Sequence, residues 1–143
     1  PFLVAFCHIP LHDDNPRAHP GDVEGNGDGK YWHDFALWQR TCRDLWGPLF
    51  AKHGVQAVIC AHQHRYRYHA PTADRSWAQI IGGGPEHAAD DSDESPSEYP
   101  TVIEGQVMDG QLVITIHNLR RRTVQDTFAF RPRKIRRKRS EKK

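Results

Sequence analysis

Three observations predict an α/β fold. Two short apolar runs, residues 2–7 and 55–60, flank a segment whose apolar residues recur every three or four positions, which reads as strand, helix, strand. A later stretch alternates apolar and polar residues around Asp109-Gly110, which reads as antiparallel strands joined by a tight turn. The result is a βαβ-like unit followed by antiparallel closing strands.

The first run, Phe2-Leu3-Val4-Ala5-Phe6-Cys7, is continuous enough for a strand buried on both faces. Pro10 ends it, because its ring fixes one backbone angle and restrains Ile9 before it. Residues 13–30 hold Asp, Asn, Pro, Gly and His with hardly an aliphatic residue, the composition of a long loop. Phe35, Trp38, Cys42, Leu45, Trp46, Leu49 and Phe50 then keep helical period, predicting a helix over about 31–45 that buries one face. Gly47-Pro48 is expected to break it, leaving a short second turn capped by a left-handed Gly54. The 55–60 strand should lie parallel to the first, with their C-terminal ends together. Residues 77–81 form a further strand closed by Gly82-Gly83-Gly84, which serves either a close backbone approach or a plain flexible turn. Residues 86–100 read as an acidic, solvated loop. Strands at 101–107 and 111–118 make the hairpin, with Leu112, Ile114 and Ile116 on one face, and residues 122–130 add a third strand with Val124, Phe128 and Phe130 together.

Charge divides the chain. Of 20 Lys and Arg, nine fall in residues 131–143, leaving 11 against 17 acids in residues 1–130, a balance of −6 beneath the overall +2. The basic tail has nothing to bury and is expected to be disordered. It suits contact with a polyanion, although no aromatic is interleaved to stack a base. Cys7, Cys42 and Cys60 are an odd set in apolar surroundings, as expected of buried thiols, and leave the compartment open. No apolar run approaches the ~18 residues of a transmembrane helix. The chain opens at Pro1 directly on a strand, which suggests a cut through a larger protein whose upstream part would carry any targeting segment.

The chemistry collects at strand ends. On extended backbone, residues i and i+2 share a side, so His62 and His64 can offer two imidazoles to one place, and the parallel arrangement brings His8 to the same edge. By itself a His-x-His pair is more often two solvated or hydrogen-bonded loop histidines than a metal site.

Phe2-Leu3-Val4-Ala5-Phe6-Cys7-His8-Ile9-Pro10 and Phe50-Ala51-Lys52-His53-Gly54-Val55-Gln56-Ala57-Val58-Ile59-Cys60-Ala61-His62-Gln63-His64-Arg65-Tyr66 together resemble the C-terminal half of the calcineurin-like metallophosphoesterases, the purple acid phosphatase-like branch in particular. The resemblance covers roughly residues 1–130, with Ala61 standing where that family usually has Gly. It implies a β-sandwich flanked by helices and hydrolysis of phosphate esters at two divalent or mixed-valence ions of Fe, Zn or Mn. It makes His8 and His62 ligands of one metal and His64 a ligand of the other, with imidazole nitrogens roughly 4 to 8 Å apart. It also implies that the bridging aspartates and other catalytic groups belong to a missing N-terminal half, so that no catalytic residue is assigned within residues 1–143 and the isolated chain should turn over little. His19 and His12 are candidate substrate contacts. His33, His53, His69, His87 and His117 read as surface or supporting residues, and Arg65 and Arg67 as solvated charges that could attract a phosphate. A structural zinc site built from Cys7, His8, Cys60, His62 and His64 is disfavoured, because alternation along the strands points these side chains to different faces.

Overall fold

The computed structural model describes residues 1–12, 29–63, 65–84 and 99–133, the side chains of 29–38 excepted. In order, the elements are β1 (Val4–Phe6), α1 (Gly29–His53), β2 (Ala57–Cys60), β3 (Arg67–His69), β4 (Ala78–Ile81), β5 (Thr101–Met108), β6 (Gln111–Asn118) and β7 (Thr123–Phe130). Among the described residues they form a four-stranded sheet, β1-β2-β4-β3, and a three-stranded sheet, β5-β6-β7. β1, β2 and β4 are parallel, β3 is antiparallel to β4, and the second sheet is antiparallel throughout. This is a mixed α/β architecture, with the predicted pairing of the two apolar runs in place.

Alternation along β2 and β4 assigns the two faces of the first sheet. Ala57, Ile59 and Ile80 pack with Ile114, Ile116 and Leu112 of the second sheet, so the two sheets share one core. Val58, Cys60 and Ile81 turn the other way, against Val55, Trp77, Leu11 and Phe50. β2 and β4 are thus buried on both faces. At about 1.5 to 3 kcal/mol for each fully buried Val or Ile side chain, they are the main apolar contribution of the first sheet.

Several expectations are corrected. β1 is an edge strand of its sheet, with Phe6 75% exposed, so it is not buried on both faces as its apolar run suggested. α1 does not stop at Gly47-Pro48 but runs through Pro48 to His53. Proline ordinarily expels the residue before it from helical angles by a clash with that residue's Cβ, and Gly47 has none. Pro48 still lacks an amide donor and crowds the carbonyl one turn before it, the costs that any helix-internal proline carries. The apolar stripe is not buried along its length either: Leu45, Trp46 and Leu49 are exposed, and Phe50 carries the packing, edge-on to Trp77 at 5.6 Å between ring centroids. The helix ends as predicted at Gly54 (φ +65°). Val55 N–H reaches Phe50 O at 2.9 Å and Gly54 N–H reaches Ala51 O at 3.2 Å, the paired bonds of a left-handed cap that drops the chain into β2.

The hairpin forms across Asp109 and Gly110, both at positive φ, and Leu112, Ile114 and Ile116 face the core. Val124 does not join Phe128 and Phe130. A β-bulge between Ile116 and His117 lets Ile116 pair Asp126 while His117 pairs Val124, which moves Val124 to the outer face at 57% exposed. Asp126 lies before the bulge, in regular register with Ile116, and keeps the inward face of Phe128 and Phe130, where it accepts a 2.6 Å hydrogen bond from the Tyr66 hydroxyl. Burial, and then the Asp126 carboxylate, push the Tyr66 pKa up and keep that donor protonated. β3, two residues after Arg65, was not anticipated: Arg67-Tyr68-His69 is too short and polar to signal a strand and is fixed by pairing to β4. His69 is buried there, which rules out the surface alternative of its surface-or-supporting expectation.

The start of the basic tail is also anchored, contrary to the expectation of disorder from residue 131. Arg133 N–H donates to Pro1 O at 3.1 Å, its guanidinium donates to His53 O, and Gln56 Nε2 donates to Arg131 O. Residues 134–143 and the acidic loop over 85–98 lie outside the described residues. No helix among the described residues is long and apolar enough to cross a membrane.

Two outcomes follow. A Cβ on Gly83 would sit 1.8 Å from Tyr99 O, whereas one on Gly82 would meet only side-chain atoms of Ile103 and Thr101 at 3.4 and 3.5 Å as its nearest contacts. Gly83→Ala should therefore cost about 2 to 4 kcal/mol in urea unfolding and Gly82→Ala less, which decides the glycine run in favour of close approach. On the outer face of the second sheet, His117 Nε2 lies 2.9 Å from Glu104, and this contact followed by that of Gln106 holds the Glu104 carboxyl below its ordinary 4.5. A depressed folded-state pKa stabilises above the unfolded value and loses that contribution as pH falls through it. The difference in unfolding midpoint between wild type and Glu104→Gln should be present at pH 6 and should shrink as the pH drops below about 4.

Candidate functional site

Strand pairing puts the two histidines together. Cys7 N–H continues the β1–β2 ladder to Ile59 O at 3.1 Å, and Ala61 N–H then bonds His8 O at 2.9 Å, so the chains leave their strands locked in register. His8 Nε2 and His62 Nδ1 meet at 3.1 Å, with rings nearly perpendicular and centroids 5.1 Å apart. One nitrogen carries the proton that the other accepts. The pair is closer than the expected 4 to 8 Å. For comparison, two nitrogens about 2.05 Å from one tetrahedral ion and about 109° apart would be roughly 3.3 Å from each other.

The backbone reaches this arrangement differently from the extended geometry that the His-x-His spacing suggested. β2 ends at Cys60, and His62 adopts φ +71° while Gln63 N–H bonds Ala61 O at 2.9 Å. This is a γ-turn centred on His62, a conformation that costs a non-glycine residue on the order of 1 to 3 kcal/mol. The turn re-aims His62 across the strand gap toward His8. Alternation along a strand therefore gives no guide to where residue 64 points, and His64 itself lies outside the described residues.

A residue that the sequence reading passed over holds the loop after His8. Gln79, fully buried in β4, accepts from Leu11 N–H at 2.9 Å and His12 N–H at 3.0 Å through Oε1, and donates to His12 O at 2.6 Å through Nε2. One amide satisfies three backbone groups that would otherwise be stranded beside the core. Its signal was available: a polar residue inside the apolar string Trp77-Ala78-Gln79-Ile80-Ile81 requires a partner. His12 is placed by this clamp against Trp77, with ring centroids 5.3 Å apart, in a packing position. His19 lies outside the described residues.

Beside the histidines lie two thiols. Cys7 Sγ donates to Ile9 O at 3.3 Å, which leaves Cys60 as the donor in the 3.4 Å contact between the sulfurs. Donation to Cys7, and then burial, push the Cys60 thiol pKa up, and acceptance from Cys60 draws that of Cys7 down. Cys7, Cys42 and Cys60 are all free thiols. Among the described residues no three His, Cys, Asp or Glu side chains converge as a metal-binding group, so the thiol pair and His12 do not join His8 and His62 in one site.

No protein-family model matches the chain, and no curated protein matches it. Among solved structures it is similar to a single mutant of Vps29 from Entamoeba histolytica, at 16% identity and a TM-score of 0.38 over 62% of this chain. The chain spans 47% of the length of that one, and the likeness is too slight to bear on fold or function.

The Gln79 clamp is testable by itself. Gln79→Leu keeps the volume but strands the amides of Leu11 and His12, and should destabilise the chain by on the order of 3 kcal/mol. Amide exchange at residues 11 and 12 should accelerate more than at β6, which distinguishes a loosened loop from uniform destabilisation.

Proposed function

We propose that this chain supplies histidine ligands to a metal centre that hydrolyses phosphate esters. The observation that carries the reading is the 3.1 Å approach of His8 Nε2 and His62 Nδ1 at the C-terminal ends of adjacent parallel strands, where open α/β sheets place their ligands. His8 and His62 would hold one ion and His64 would contribute to a second, and such ions, whether Fe, Zn or Mn, supply Lewis-acid polarisation of a phosphoryl group.

The chain's own contribution is positional. The Ala61–His8 backbone bond sets the two ligand-bearing turns against each other, and Gln79 fixes the outgoing loop, so neither ring has to be ordered when an ion arrives. The γ-turn strain at His62 is offset by the core beneath it. His8 is exposed, which leaves the site open to a substrate from solvent. On this reading the carboxylates needed for charge balance come from the preceding half of the domain that the resemblance implies, and residues 1–143 bind metal with little turnover.

Purified chain titrated with Zn²⁺ or Mn²⁺ should bind the ion, and His8→Ala or His62→Ala should each weaken that binding roughly 100-fold. Unchanged affinity in both variants would reduce the histidine pair to a hydrogen bond and remove the reading. Hydrolysis of an aryl phosphate should stay near background. Enzyme-like rates abolished by His62→Ala would show instead that the site is complete without a preceding half.

A further inference from the structure

The strand ends that bring His8 and His62 together also bring together two sulfurs that the hydrolytic reading does not use. We propose that Cys7 and Cys60 are a reversible thiol–disulfide pair, oxidised by a small-molecule disulfide such as oxidised glutathione. The inference is independent of whether the histidines bind metal.

The geometry is that of a bond waiting to close. Cys7 and Cys60 follow directly on Phe6 and Ile59, which are paired in the parallel ladder, and neighbouring strands lie about 4.8 Å apart. That spacing falls within the 4.4 to 6.8 Å between Cα atoms that a disulfide spans. The sulfurs already touch at 3.4 Å, so closing to about 2.05 Å takes small side-chain rotations and no displacement of strands. Two cysteines that merely filled a core would have no need to face each other across a strand pair.

Access is asymmetric, and this sets the order of events. Cys60 is 4% exposed, whereas Cys7 is half-buried and lines a cavity of about 170 Å³ with Ala5, Leu11, Trp46 and Phe50. Cys7 is therefore the sulfur that a reagent meets first. Its thiol, giving up a proton, attacks one sulfur of glutathione disulfide, whose S–S bond breaks and releases one reduced glutathione. Cys60, already in contact, gives up its proton and attacks the Cys7 sulfur of the mixed disulfide, releasing the second glutathione. Two cysteine sulfurs are oxidised, one glutathione disulfide is reduced to two thiols, and the chain loses two hydrogens. Closure also removes the Cys7 S–H bond to Ile9 O, in the segment that leads away from His8.

Cys42 lines the same cavity and is the natural control. The native full chain, incubated with oxidised glutathione, should lose two of its three titratable thiols and two hydrogens of mass, and peptide mapping should join Cys7 to Cys60. Cys42→Ser should behave identically, with no free thiol remaining, and it keeps the test valid should Cys60→Ser fail to fold. In folded Cys60→Ser the glutathione adduct should accumulate on Cys7, because the resolving sulfur is gone. Three thiols surviving in the native chain, a persistent adduct on wild-type Cys7, or a linkage through Cys42 would each overturn the proposal.

Discussion

The structure depends on the parallel pairing of β1, β2 and β4. Those three strands are short, and β2 and β4 have four residues each, yet their pairing decides three separate things. It makes β2 and β4 two-faced, so that one sheet face receives the hairpin sheet and the other receives Phe50 and Trp77. It aligns the strand ends so that His8 and His62 leave on the same edge. It also sets Cys7 beside Cys60. A single slip of β1 against β2 would exchange the faces of its residues and separate both pairs at once.

Magnitudes explain why so small a sheet can hold a strained turn. The γ-turn at His62 costs on the order of 1 to 3 kcal/mol, which is comparable to burying one aliphatic side chain. Val58, Ile80 and Ile81 are each fully buried within this sheet, so the strain is a minor deduction from its apolar gain. Polar groups are treated just as strictly. Among the described residues, Gln79 and the Tyr66–Asp126 pair are two points where polarity meets the core, each with named partners at 2.6 to 3.0 Å.

Gln79 and Tyr66 also connect the candidate site to the rest of the molecule. Gln79 reaches from β4 to the loop that follows His8, and Tyr66, two residues beyond His64, reaches across to Asp126 in the second sheet. The segment that follows β1 is thus tied to the first sheet and the segment that follows β2 to the second, each within a few residues of the histidines. A metal centre at this edge would inherit that rigidity, which is what positions ligands within a few tenths of an ångström. The thiol pair sits one residue below His8 and shares the same strand register.

The sequence by itself determined the order of the helix and of every strand but β3, the parallel neighbours, the Gly54 cap, the Asp109-Gly110 hairpin and the inward set Leu112, Ile114 and Ile116. These rest on local chemistry: period, turn residues and backbone freedom, all of which act within a few positions. It also placed His8 and His62 on one edge, because a βαβ connection fixes where parallel strands end. Tertiary structure alone decided the rest. β3 exists because β4 offers it a partner, and Val124 faces outward because of a bulge in the β6–β7 pairing. The 3.1 Å meeting of the histidines required a γ-turn that no spacing rule contains, and the Cys7–Cys60 contact required strand register to the residue. Such features are set by the sum of distant contacts, and a sequence window of ten residues does not contain them.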